Sequence, residues 1–144
     1  MSQSYKKLTK FALINDIMMF VNLLTIFLGS GLGGVCRYGV SRYLQALVPA
    51  TQFPVGTFAV NVVGCLLIGL FYGMAARGTL LSHELRLLLT VGFCGGFTTF
   101  STFINESSLL FAGSASHVLM ALGYMLVSVV VGFVMFYIGH AIAA

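Results

Sequence analysis

The stretch GFCGGFTTFSTFINE, residues 92–106, sets glycines, hydroxyl side chains and a glutamate inside a block otherwise apolar enough to cross a membrane. In hydrocarbon every backbone N–H and C=O needs a partner. Non-helical backbone is therefore tolerated there only when it is buried in protein or lines a cavity. Glycines followed by β-branched and hydroxyl residues weaken a helix at this point. The expectation is a discontinuous span whose two half-helix ends meet at mid-membrane, where their partial charges suit an ion.

Composition agrees with a membrane setting. Hydrophobic residues make up 59% of the 144 and charged residues 7%, against about 25% charged in a soluble domain. Such a chain has too little polar surface to cover a soluble core, and it has room for one domain of four spans at roughly 20 residues each. The net charge of +4 reflects scarce acids. No basic–aromatic arrangement points to nucleic acid as a partner.

Four apolar blocks follow in order, at about residues 20–43, 55–76, 84–111 and 117–142. Together they define an all-α integral membrane domain over residues 18–144. Pro54 and Ser82 are plausible starts for the spans that follow them. Residues 1–17 differ in character, with Lys6, Lys7 and Lys10 before Phe11–Ile14 and then Asn15 and Asp16. They lack the uninterrupted apolar core and small-residue cleavage site of a secretory signal. The expectation is a short, partly ordered cytoplasmic tail, or one left untranslated because Met18 and Met19 offer a start.

Cys36, Cys65 and Cys94 fall in three different blocks with no CxxC pair. An odd count without ligand spacing argues against a disulfide framework and a zinc site. The acids are Asp16, Glu84 and Glu106 alone, so neither a carboxylate pair nor a nucleophile–base arrangement is visible, and the chain reads as no enzyme. Gly29, Gly33, Arg37 and Ser41 recur every four residues, and Gly69 with Gly73 and Gly92 with Gly96 repeat that spacing. Small-xxx-small rows let helices approach closely in lipid, within one chain or between two. They leave unexplained Asn61 in the second block and the run Thr98–Thr102, since polar groups at such depth are costly.

Phe100 and Phe103 share a helical face, which is most simply a core pair. Beside Asn61 and Ser101 they admit a sharper reading, because the edge of an aromatic ring is electropositive and attracts an anion without a full charge. Tyr124, Ser128 and Gly132 follow at i, i+4 and i+8 in the fourth block, two of them hydroxyls. These residues together could line a narrow anion path.

The combination of GGVCRY (33–38), GTFAVNVVG (56–64), GFCGGFTTFSTFINE and the spaced Tyr124, Ser128 and Gly132 resembles the Fluc/CrcB fluoride channels over all four spans. That resemblance implies a four-span subunit in an antiparallel, dual-topology homodimer in the bacterial inner membrane. It also implies passive fluoride export that relieves toxicity, and a structural sodium ion, not transported, at the dimer centre. By motif, Asn61, Phe100, Phe103, Ser101, Tyr124 and Ser128 would line the fluoride pore. The main-chain oxygens of Gly95 and Thr98 would hold sodium, and Arg37 and Glu106 would be vestibule or structural charges. Gly132 departs from members that carry a hydroxyl there. The rivals are a small four-span multidrug or cation exchanger, which needs a membrane-embedded acid, and a non-transporting assembly subunit, for which Asn61 and the hydroxyls would be packing glue.

Overall fold

The computed structural model describes residues 3–50, 52–78 and 82–144, with side chains from residue 10 onward. The described residues are all helical or in short connections. Helix α1 spans Gln3–Leu47, α2 Val55–Ala76, and α6 Ala115–Ala143. Between α2 and α6 the third span is built in pieces: α3 (His83–Leu87), a π-helical segment (Leu88–Cys94), α4 (Gly95–Phe97) and α5 (Phe100–Phe111). Among the described residues, four helical stretches are long and apolar enough to cross a membrane: within α1, α2, the composite 83–111 and α6. Three of the four expected blocks agree closely with these bounds.

The helix that carries the first block begins well before residue 20. Helix α1 runs through Asn15 and Asp16 without a break, since nothing before Gly29 stops a helix and two polar side chains are harmless on an exposed face. Its 45 residues extend about 68 Å at 1.5 Å per residue, more than twice the roughly 30 Å of a bilayer's hydrocarbon core. Residues 10–20 are exposed on every face.

Helix starts are locally encoded. Pro54 precedes α2 and leaves no N–H to satisfy. Ser82 caps α3, its hydroxyl accepting from the Leu85 N–H at 3.2 Å. At the start of α6, the Ser114 N–H donates to Nδ1 of His117 at 3.2 Å, the reciprocal half of a capping box.

Two glycine-mediated helix pairs organise the bundle. In the first, α1 lies against the π segment and α4. A Cβ added at Gly29 would stand 2.8 Å from the Cα of Gly92, and one at Gly96 2.8 Å from the Cα of Ser30. In the second, α2 lies against α6, and a Cβ at Gly139 would stand 2.9 Å from the Leu70 nitrogen. The small-residue rows therefore serve packing within one chain. Val60, Cys94 and Tyr124 are the largest fully buried side chains between these pairs. Large apolar side chains such as Phe27, Leu32, Leu126 and Phe133 point outward, as lipid-facing residues do.

Because backbone stands opposite Gly92 and Gly139, a side chain at either cannot be absorbed by a rotamer change. Gly139→Val and Gly92→Leu should each destabilise the protein by about 1–3 kcal/mol, the range for overpacking. Gly123→Ala, with no atom of the chain within 4 Å of the added carbon, should be near neutral. Thermal unfolding in detergent checks all three.

Candidate functional site

The third span is interrupted at Thr98 and Thr99, whose backbones are extended (φ/ψ −86°/157° and −147°/120°). The sequence placed this break over residues 95–98, and the structure sets it at the far edge of that range, at Thr98 and Thr99. Gly95 keeps ordinary helical angles (−62°/−38°), while the two β-branched threonines take the extended backbone their branching favours. Gly96 serves close approach to α1 instead. Just upstream, the π turn widens the helix over Leu88–Cys94, a distortion that often accompanies functional sites.

Several backbone groups at the break find partners. The Thr98 N–H and hydroxyl both donate to the Cys94 carbonyl, at 3.0 and 2.8 Å. Asn61 on α2 clamps Thr99 from both sides. Its Oδ1 accepts the Thr99 N–H at 2.8 Å and its Nδ2 donates to the Thr99 carbonyl at 3.1 Å. In a continuous helix that N–H would bond the Gly95 carbonyl; the break hands it to Asn61 and leaves the Gly95 oxygen without that donor. Arg37 on α1 donates Nε–H to the Gly96 carbonyl at 3.0 Å. Downstream, the Thr99 hydroxyl caps α5 by accepting the Thr102 N–H at 3.3 Å.

A cavity of about 390 Å³ opens beside the break, its wall including Asn61, Gly95, Thr98, Phe100, Phe103 and Ser128. The Ser128 Oγ is buried there with no hydrogen-bond partner. The Phe100 and Phe103 ring centroids are 5.9 Å apart, and Phe103 continues to Tyr124 at 5.0 Å. The Tyr124 hydroxyl donates to Glu106 Oε2 at 3.1 Å, and Thr57 donates to Oε1 at 2.6 Å. Glu106 in turn lines a second cavity of about 690 Å³ together with Arg42, Gln45 and His117. Phe103 on the first wall and Glu106 on the second are thus linked through Tyr124.

Most of the residues singled out from the sequence converge here, though not in identical roles. Asn61, Gly95, Thr98, Phe100, Phe103 and Ser128 share one cavity wall. Tyr124 is fully buried behind it, whereas Phe100 is 76% exposed at its open side. Ser101 is exposed and not among the wall residues; its Oγ lies 3.5 Å from that of Thr99. Arg37 stands at the break rather than in either cavity. Sequence reasoning missed Thr57 and Thr99. The signal for Thr57 was present, four residues before Asn61 on the same face of α2. Thr99 became visible only through its partner on another helix.

Comparison with known proteins places this arrangement in context. The family model "CrcB-like protein, Camphor Resistance (CrcB)" matches residues 24–140. The chain is similar to the protein named fluoride-specific ion channel FluC of Phocaeicola vulgatus, with 56% identity over 60% of this chain and 69% of the relative. It is also similar to the proteins of that name from Flavobacterium psychrophilum (42%, covering 82% and 93%) and Chloroflexus aurantiacus (44%, covering 82% and 91%).

The Asn61 clamp predicts a graded mutational series. Asn61→Leu leaves both the Thr99 N–H and carbonyl unpaired and should cost about 1–3 kcal/mol for each unmet group. Asn61→Asp keeps the acceptor and loses the donor, so it should fall between wild type and leucine. Amide hydrogen exchange at Thr99 should accelerate in the leucine variant well before exchange at Phe103 does.

Proposed function

The chain belongs to the CrcB-like family, and we propose that it is the subunit of a passive, fluoride-selective channel that lets the ion leave a bacterial cell across its inner membrane. The observation that carries this reading is the buried, unpartnered Ser128 hydroxyl on a cavity wall shared with Phe100 and Phe103. Fluoride is small and strongly hydrated, so a pore must replace its water with close donors yet bind weakly enough to release it. A free hydroxyl, the remaining N–H of Asn61 and polarised ring edges meet both demands. Arg37 bonds the backbone of the break, and the Glu106 carboxylate accepts hydrogen bonds from two hydroxyls. The cavity wall beside Ser128 carries no ionised side chain to trap an anion.

The exposed ring of Phe100 supports a second subunit that completes the path. An antiparallel homodimer is the arrangement we propose, since a two-fold axis would bring two breaks together. The Gly95 and Thr98 carbonyls, hard oxygen ligands, would there hold one sodium ion shared between copies. No step of conduction requires that ion to move. A multidrug or cation exchanger is disfavoured because Glu106 is hydrogen-bonded on both oxygens by Thr57 and Tyr124, a poor posture for repeated proton exchange.

Purified protein in liposomes should release fluoride down its gradient with little chloride flux; equal rates for the two anions would defeat the proposal. Phe100→Ile keeps apolar bulk and removes the ring edge, and it should lower fluoride flux at least tenfold without unfolding the protein. For sodium, Thr98→Ser should be mild because the ligand is backbone, while Gly95→Val should abolish sodium-dependent stabilisation in a thermal melt. Orientation follows charge. Lys6, Lys7, Lys10, Arg77 and Arg86 fall on the side of the termini, with Arg42 opposite, a bias that favours one insertion direction. Reporter fusions at the C-terminus should therefore show both orientations more evenly in a chain begun at Met18 than in the full chain.

A further inference from the structure

Two thiols lie on the wall of the 390 Å³ cavity and take no part in the hydrogen bonding of the break. Cys65 comes from α2 and Cys94 from the end of the π segment, and both are free. Their neighbourhood is fixed by the packing of α2 on the third span. Gly64 lies against the methyl of Thr98, Cys65 follows Gly64, and Cys94 lies one turn before Thr98, bonded to it through its carbonyl. Gly132 on α6 gives the Cys65 sulfur its room, because a Cβ there would stand 3.3 Å from Sγ. The third cysteine, Cys36, is exposed on α1 and away from this wall.

We propose that Cys65 and Cys94 form a two-thiol site, inside the cavity, for one soft two-coordinate cation of the mercury(II), silver(I) or copper(I) class. Soft metal ions select sulfur ligands, and a site with only two of them suits ions content with linear coordination. Harder ions that require four ligands find no such set, since no group of three or more His, Cys, Asp or Glu is assembled among the described residues. With mercuric chloride the step is a ligand exchange without oxidation. Each thiol gives its proton to solvent, two sulfur–mercury bonds form, and both chlorides leave. The product bridges α2 to the third span beside Phe100 and Ser128. It therefore fills the space that, on the proposed function, an anion must cross.

The test uses the full chain carrying Cys36→Ser, treated with mercuric chloride in detergent and weighed intact. A bridged site adds one mercury, loses two hydrogens and retains no chloride. Two mercury atoms per chain, each with its chloride, would overturn the proposal. So would a chloride-free adduct that persists after Cys65→Ser or Cys94→Ser. A separate arm measures fluoride efflux from liposomes containing the same protein before and after mercury. Loss of at least nine-tenths of the flux, reversed by a dithiol, is expected. Unimpeded flux with the bridged adduct in place would remove the cavity from the conduction path while leaving the metal site standing. Absence of flux before mercury would count against the channel reading alone, because the mass measurement does not depend on it.

Discussion

An interrupted span in a low-dielectric setting must find partners for the backbone groups it frees, and the rest of this molecule is arranged around that requirement. Each unmet group costs several kcal/mol in hydrocarbon. Three side chains from three segments meet part of the demand: Asn61 from α2, Arg37 from α1 and Thr99 from the break itself. This explains why α1 and α2 approach the third span so closely. The side chain of Arg37 reaches a carbonyl only because Gly33 and Gly96 let α1 and α4 meet with almost nothing between them. The glycine rows and the polar residues, which looked like separate features in the sequence, therefore serve one structural end.

The same arrangement settles where charge is used. In a medium where a lone charge is expensive, Arg37 bonds a carbonyl and Glu106 is held by two hydroxyls. The cavity between these points is lined by neutral donors, rings and thiols. Such a wall is attractive to a small anion without being sticky, since a hydroxyl or amide bond to an ion can be exchanged far more easily than a buried ion pair can be broken. The unpartnered Ser128 oxygen is informative for this reason. Elsewhere in the bundle the chain satisfies hydroxyls by bonding them to the carbonyl four residues back, as Thr25, Thr90 and Ser107 do. Ser128 has no such bond.

How much of this was legible in the sequence divides along a physical line. The spans and their starts were readable because apolar length, Pro54 and Ser82 act locally. That Asn61, the Phe100–Phe103 pair and Ser128 would meet was readable from the cost of polarity and from spacing. The position of the break was readable only to within a few residues. Glycine permits a bend but does not demand one, and the backbone yielded two residues later, where Asn61 was placed to accept an N–H. The partner of Arg37 was hidden, because a fourth-residue spacing gives a face and not the carbonyl that face will meet. The length of α1 escaped for the opposite reason, since Asn15 and Asp16 look like a boundary only if the helix is assumed to stop where the hydrocarbon does.

The two cavities give the bundle its asymmetry. Tyr124 is buried, its ring packed on Phe53 and on Phe103, which lines the first cavity, and its hydroxyl on Glu106, which lines the second. Losing that hydroxyl would leave one oxygen of Glu106 short of a donor. Tyr124 is therefore held by ring packing on one side and by a hydrogen bond on the other. Phe103, locked by Tyr124, is the fixed member of the ring pair, and Phe100, mostly exposed, is the member whose surroundings one chain leaves open. On the proposed dimer, a second subunit that covered Phe100 would complete that side of the cavity.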